Sequence, residues 1–263
     1  MEKRTNELLS EHLPQLLNEL YNPEHFFIRY MDEQGSHLRI RIKFKNETEA
    51  IKKIIVVNNW IREMMERKMV CKVLFDVYQR EINRYGGHEI IEHCEKIFFK
   101  DSIFVEKLLG KFDLTNENEL EKIYILGIVN IIKYLTKNIE EMFLCLETIK
   151  FDGVYRKEYR SKSKEYIKLV DEILEEKSEK YKVLSEEYEE EKEALVNFRY
   201  EMNKQIEKNK HTNYKEDIIF SIVHMYCNRL TGDRTYEEKY LEIIRNTMYH
   251  IISRNKNKNI NKN

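Results

Sequence analysis

The chain has 263 residues, with 46 Lys+Arg against 47 Asp+Glu for a formal net charge of -1, and 41% of its residues are apolar. That length can bury a sizeable core in one large domain or two small ones, while the charge balance argues against holding nucleic acid through bulk basicity. Only 7 Gly and 2 Pro are present, too few for the turns of a many-stranded sandwich, barrel or propeller, and 17 Tyr and 12 Phe supply packing mass that a disordered chain lacks.

The N-terminal run MEKRTNELLSEHLPQLL opens with charge and has no apolar h-region, so it does not read as a secretory signal. Leu at helical spacing over residues 6–21, interrupted by Pro14, predicts a helix or a bent pair of turns. Two β-rich runs follow, Phe26 to Met31 and His37 to Phe44, flanking a turn-forming segment that contains Gly35; this predicts a β-hairpin. In its second arm Leu38, Ile40, Ile42 and Phe44 alternate with His37, Arg39, Arg41 and Lys43, giving one apolar and one basic face. Thr48 to Lys68 carries an apolar helical stripe that includes Ile51, Ile54, Ile55, Trp60 and Met64. Val70 to Val77 reads as a strand running into YQREINRYGG.

Helical patterns cover Glu89 to Leu109 and then Asn116, a cap with Glu119 three residues on, to about Thr148. Tyr155 to Asn209 is rich in Lys, Glu and Tyr; it reads either as two solvated helices packed on the body or as a coiled-coil partner arm. Tyr214 to Ser253 predicts two helices joined near TGDRTY. The fold expected is α+β, predominantly helical with a small antiparallel β-sheet near the N-terminus. One domain is expected over residues 1–253, its sheet lying within about 24–78, with residues 254–263 as a disordered tail. Cys71, Cys94, Cys145 and Cys227 form no CxxC pair, which implies free thiols in a reducing compartment and offers no zinc ligand spacing. No apolar run approaches the roughly 20 residues that span a bilayer, and a cytoplasmic location is expected.

Three clusters could carry chemistry. His37, Arg39 and Arg41 point to one side of a strand and could take a substrate with more than one carboxylate, although the same alternation describes a solvated sheet face. In YQREINRYGG, Glu81, Arg84 and Tyr85 would share a face if the segment is helical. The double glycine allows positive φ or close approach of a ligand, yet an ordinary ion pair with a glycine cap reads the same way. In SIVHMYCNRL, His224 and Asn228 share a helix face with Arg229 beside it, a pattern that also fits a hydrogen-bonded core histidine. No GxSxG, Walker A, GxGxxG or HExxH motif is present.

In this order, FFIRYMDEQGSHLRIRIKF, YQREINRYGGHEIIEHCEKIFFKDS and SIVHMYCNRLTG resemble the C-terminal elimination domain of lantibiotic dehydratases, a family also labelled thiopeptide-type bacteriocin biosynthesis protein. The resemblance extends from about Leu8 to about Ile252, with Glu95, Asp101 and Ser102 fitting the family's middle segment. It implies the stand-alone form of a cofactor-independent, metal-free lyase. Such an enzyme eliminates glutamate from O-glutamylated Ser and Thr of a precursor peptide, leaving dehydroalanine or dehydrobutyrine. The implied partners are that peptide and a separate tRNA-dependent glutamylation protein. Direct nucleic-acid contact is not implied, and homo-oligomerisation stays open. Carried over by position, Arg39 and Arg41 would grip the glutamyl carboxylates. Arg84, oriented by Glu81, would complete the anion site, and His224 would be the general base or acid. His37, Tyr85, Asn228 and Arg229 would support substrate binding. A related branch implies the alternative of a pyridine synthase performing a formal [4+2] cycloaddition. A non-catalytic scaffold that binds the precursor peptide is the remaining alternative.

Overall fold

The computed structural model describes residues 2–33, 35–177, 183–209 and 215–260. Helix α1 (Glu2–Glu7) passes through a π turn (Leu8–His12) into α2 (Leu13–Glu19). Pro14 has no N–H to give the preceding turn, and the widened register at Leu13, whose N–H reaches the Leu8 carbonyl, absorbs that loss. Strands β1 (His25–Asp32) and β2 (Gly35–Ile42) then form an antiparallel hairpin, with His25 opposite Ile42 and Arg29 opposite Leu38. Helix α3 (Glu47–Glu66) starts at Asn46, whose side chain accepts from the Glu49 N–H.

The helical body comprises α4 (Ile91–Lys111), α5 (Glu117–Leu135), α6 (Ile139–Glu147), α7 (Arg156–Leu174), α8 (Ser185–Asn209), α9 (Lys215–Leu230) and α10 (Arg234–Ile260). Asn116 and Asn138 cap α5 and α6 through their side-chain oxygens. Helix α5 is the axis of the body and is buried on nearly every side from Ile123 to Ile132, with α6, α7, α8, α9 and α10 packed around it. At Gly127 the ring of Tyr226 lies where a Cβ would be, 2.0 Å from its position, so the α5–α9 crossing depends on a missing side chain. The charged stretch after Tyr155 is two helices packed on the body, which bury Tyr159, Tyr166, Val170, Leu195, Phe198 and Met202.

Several expectations are corrected. Val70 to Val77 pairs with no strand among the described residues, and the sheet has two strands. Leu74, Phe75 and Val77 are exposed, so the β-rich composition there has found no neighbour to pack against. The apolar stripe of α3 also turns largely outward, with Ile51 and Ile55 exposed. Its anchoring comes from buried Met64 and from Trp60, whose Nε1–H donates to the His12 carbonyl at 3.2 Å. Helix α10 continues through Ile260, where a frayed tail was expected from residue 254. Tyr214 and residues 178–182 and 261–263 lie outside the described residues. Among the described residues no helix is long and apolar enough to cross a membrane.

Candidate active site

The hairpin presents two unlike faces. His25, Phe27 and Arg29 turn inward against α4 and α9 and are buried, while Phe26, Ile28 and Tyr30 look outward and share their face with Arg41, Arg39 and His37. Inward, the His25 Nε2 lies 2.8 Å from Glu106 and the Phe27 N–H reaches Ser102 Oγ at 3.3 Å. Asn228 acts as a substitute strand: its Oδ1 accepts from the Arg29 N–H at 2.9 Å and its Nδ2 donates to the Arg29 carbonyl at 2.8 Å. That double bond fixes α9 against the sheet.

On the outward face the Arg39 guanidinium lies 3.6 Å from the Tyr30 ring centre. The Arg41 guanidinium lies between the Phe26 and Tyr78 rings, 5.5 Å and 5.0 Å from their centres. Burial, with Arg39 alongside, draws the pKa of Arg41 below its ordinary value, and Glu81 acts on the same charge in the opposite sense. The Arg41 Nε is buried and has no acceptor, an unmet donor whose cost the surrounding packing must offset. His37 is at the hairpin end, with its ring 5.2 Å from that of Tyr30 and Asp32 3.8 Å away.

The segment YQREINRYGG is irregular over residues 78–81 and forms turns over 82–86, not the helix considered above. Arg84 still meets Glu81, because the Arg84 N–H closes a turn on the Glu81 carbonyl. Arg84 Nη1 donates to Glu81 at 2.9 Å and Arg84 Nε to Ser221 Oγ at 3.2 Å. Burial opposes the charge on Arg84, but Tyr85 and the Glu81 carboxylate outweigh it and raise its pKa. Gly86 has a φ of +98, and a Cβ there would lie 2.1 Å from Ile90; only glycine lets the chain turn this tightly behind Arg84. An open depression of about 450 Å³ is lined by Arg80, Glu81, Ile82, Asn83, Arg84 and His88.

One turn beyond Ser221 on α9, His224 Nδ1 meets Glu237 Oε2 at 2.7 Å. Both side chains are partly open to solvent, at 21% and 17% exposure. With Nδ1 bonded to a carboxylate, Nε2 is the nitrogen left to exchange a proton, and it has no partner among the described residues. The chain of contacts from Glu81 through Arg84 to Ser221 thus ends one helical turn from His224.

Two of the expected substrate-binding residues are placed elsewhere. Tyr85 is 3% exposed, edge-on to Phe98; burial raises its pKa, and its ring backs the Arg84 guanidinium at 5.4 Å. Arg229 is fully buried, paired with Asp101 at 2.5 Å and bonded to Ser102 at 3.1 Å. Neither can touch a ligand from these positions. Asn228 spends both ends of its amide on β1, so it too supports the site from behind. Glu237 was not anticipated, because its pairing with His224 arises only when α10 folds back after the turn at Gly232. Tyr78 belongs to the expected second cluster; burial and Glu95 hold its pKa high.

A model of the family described as "Lantibiotic biosynthesis dehydratase C-term" matches residues 1–249, and the chain belongs to that family. It is 29% identical over 261 residues to the subtilin biosynthesis protein SpaB of Bacillus subtilis, covering 94% of this chain and 24% of SpaB. To the nisin biosynthesis protein NisB of Lactococcus lactis subsp. lactis it is 26% identical over 247 residues, covering 90% of this chain and 23% of NisB. The crystal structure of the tRNA dependent lantibiotic dehydratase MibB from Microbispora sp. 107891 superposes with a TM-score of 0.84 at 18% identity, covering 96% of this chain and 27% of that one. The chain therefore has the fold of part of MibB and spans about a quarter of the length of its curated relatives.

Proposed function

We propose that the chain eliminates glutamate from O-glutamylated Ser and Thr residues of a precursor peptide, leaving dehydroalanine or dehydrobutyrine. The observations that support this reading are the Arg39 and Arg41 guanidinium groups on one hairpin face, and Arg84 held by Glu81 and by Ser221, one helical turn from the His224–Glu237 pair. The relatives' names attach the family to lantibiotic biosynthesis, and these groups supply what a β-elimination of this kind requires.

The chemistry needs a base for a weakly acidic Cα–H, support for negative charge as it forms, and a seat for a departing carboxylate. His224 Nε2 takes the Cα proton, and Glu237 steadies the resulting imidazolium through Nδ1. The Cα–H electron pair becomes the Cα=Cβ bond as the Cβ–O bond breaks, and its pair leaves on the glutamate carboxylate. No redox change occurs, and the charge that moves is met by guanidinium groups whose protonation never changes. Arg39 and Arg41 hold the glutamyl group, and Arg84, fixed by Glu81 and Ser221, neutralises the carboxylate as it departs. The glutamyl esters come from a tRNA-dependent glutamylating protein, which places the reaction in the cytoplasm.

The test is incubation with a synthetic serine peptide carrying a chemically installed glutamyl ester, followed by mass spectrometry. Loss of one glutamic acid per ester, with dehydroalanine at that residue, supports the reading. Peptide that binds and stays esterified supports a binding scaffold instead.

A further inference from the structure

The two edges of the hairpin are not equivalent. The Lys43 N–H donates to the Glu24 carbonyl at 2.8 Å, so pair 24–43 is a hydrogen-bonded pair. Such pairs alternate in an antiparallel ladder, which makes 26–41, 28–39 and 30–37 hydrogen-bonded and 27–40 and 29–38 not. The backbone groups of Phe27 and Arg29 therefore point away from β2, where Ser102 and Asn228 take them up. By the same alternation the N–H and C=O groups of Leu38, Ile40 and Ile42 point away from β1. No described residue hydrogen-bonds to them. The β1 edge is closed by side chains, and the β2 edge is open.

We infer that the outer edge of β2 is a strand-addition site for an extended segment of the peptide substrate, in a register that lays the modified side chain beside Arg39 and Arg41. The inference rests on the functional reading above and specifies how the peptide is held. An added strand continues the pleat, so every second side chain of the peptide falls on the face that carries His37, Arg39 and Arg41. Side chains directly opposite on neighbouring strands lie about 4.5–5.5 Å apart, which brings a glutamyl carboxylate within reach of the guanidinium groups of Arg39 and Arg41. The peptide's own backbone supplies the donors and acceptors that Leu38, Ile40 and Ile42 lack. Main-chain recognition of this kind is tolerant of sequence, as suits a site that must accept ester-bearing residues in more than one local sequence. The fit is to an extended, carboxylate-bearing peptide, because the edge offers main-chain pairing and the face beside it offers cations.

Hydrogen exchange followed residue by residue tests this on the full chain. The probe is a synthetic peptide in which an amide replaces the glutamyl ester, so that it binds without reacting. In the free protein the amides of Leu38, Ile40 and Ile42 should exchange quickly while those of Arg39 and Arg41 are protected by β1. Saturating peptide should slow the first three at least about ten-fold. N-methylating the peptide one residue at a time should weaken binding with a period of two residues, by about three- to ten-fold at sensitive positions. Protection of the three amides in the free protein would mean that another part of this chain, such as residues 70–77, already fills the edge. That result overturns the inference, as does peptide binding that leaves them fast or methylation effects without alternation. Glutamate elimination in the ester assay alongside any of those outcomes would show that the strand-addition inference alone has failed.

Discussion

Arg84 and Arg229 show how two arginines in comparably polar stretches come to do different work. Arg84 is partly exposed beside the depression, with its fork divided between Glu81 and Ser221. Arg229 is sealed against Asp101 and holds α9 to α4. The first geometry fixes a planar cation without using all its donors, which is what binding a second anion requires. Arg84→Lys keeps the charge but cannot meet Glu81 and Ser221 from the same directions, and kcat for glutamate release should fall about ten-fold or more with a smaller change in KM. Steady-state kinetics on the ester peptide checks this; an unchanged kcat would mean that charge alone suffices. The shared face of Arg39 and Arg41, the pairing of Arg84 with Glu81 and the helical setting of His224 are anticipated from their motifs. The burial of Arg229 is not, because its neighbour Asn228 differs from it only in which way the helix turns it. Glu237 leaves no local trace, since it lies 13 residues from its histidine.

Among the elements, the β1–α9 junction matters most, because it sets where His224 stands relative to the arginine face. Asn228 makes it with one donor and one acceptor, both spent on the Arg29 backbone. Asn228→Asp keeps the shape but replaces the Nδ2–H donor with an acceptor facing the Arg29 carbonyl, so an attraction becomes a repulsion. We expect a loss of about 1–3 kcal/mol in unfolding free energy, read by urea denaturation, together with slower elimination; stability equal to wild type would show that the clamp is dispensable. The hairpin and the capped helices are legible in the sequence because a period of two, a period near 3.6 and a capping asparagine are local properties. Val70 to Val77 misleads for the opposite reason. Its β-branched and aromatic residues describe side chains suited to a sheet, but strand formation also depends on tertiary placement beside a partner, and none of the described strands pairs with it. REINRYGG forms turns closed by two positive-φ glycines, a glycine signal that a helix C-terminus would share.

Across the whole molecule, α4, α8 and α9 enclose a buried set of charges. Asp101 pairs with Arg229, and Glu191 is 1% exposed with its Oε1 unpaired. Burial pushes the Glu191 carboxyl well above the usual range, and the neighbouring Asp101 adds to it; burial also lifts Asp101 to about 6 against the pull of Arg229. A carboxyl whose folded pKa is raised keeps a proton that the unfolded chain releases near pH 4.3. Its contribution to stability is complete below that pH and is lost as the pH rises through the folded value. The wild-type Tm should therefore decline from about pH 4.3 towards neutrality, and Glu191→Gln, which carries no proton to lose, should decline less over the same range. Parallel Tm curves for the two proteins would show that Glu191 is ionised in the fold.

The site joins these scales, since the packed helices hold His224 one helical turn from Ser221, the partner of Arg84. The most direct measurement is mass spectrometry of the glutamyl-ester peptide after incubation with His224→Ala. The peptide should be retained by the protein with its ester intact and no dehydroalanine formed. Dehydroalanine appearing at the wild-type rate would contradict the assignment of His224 as the base.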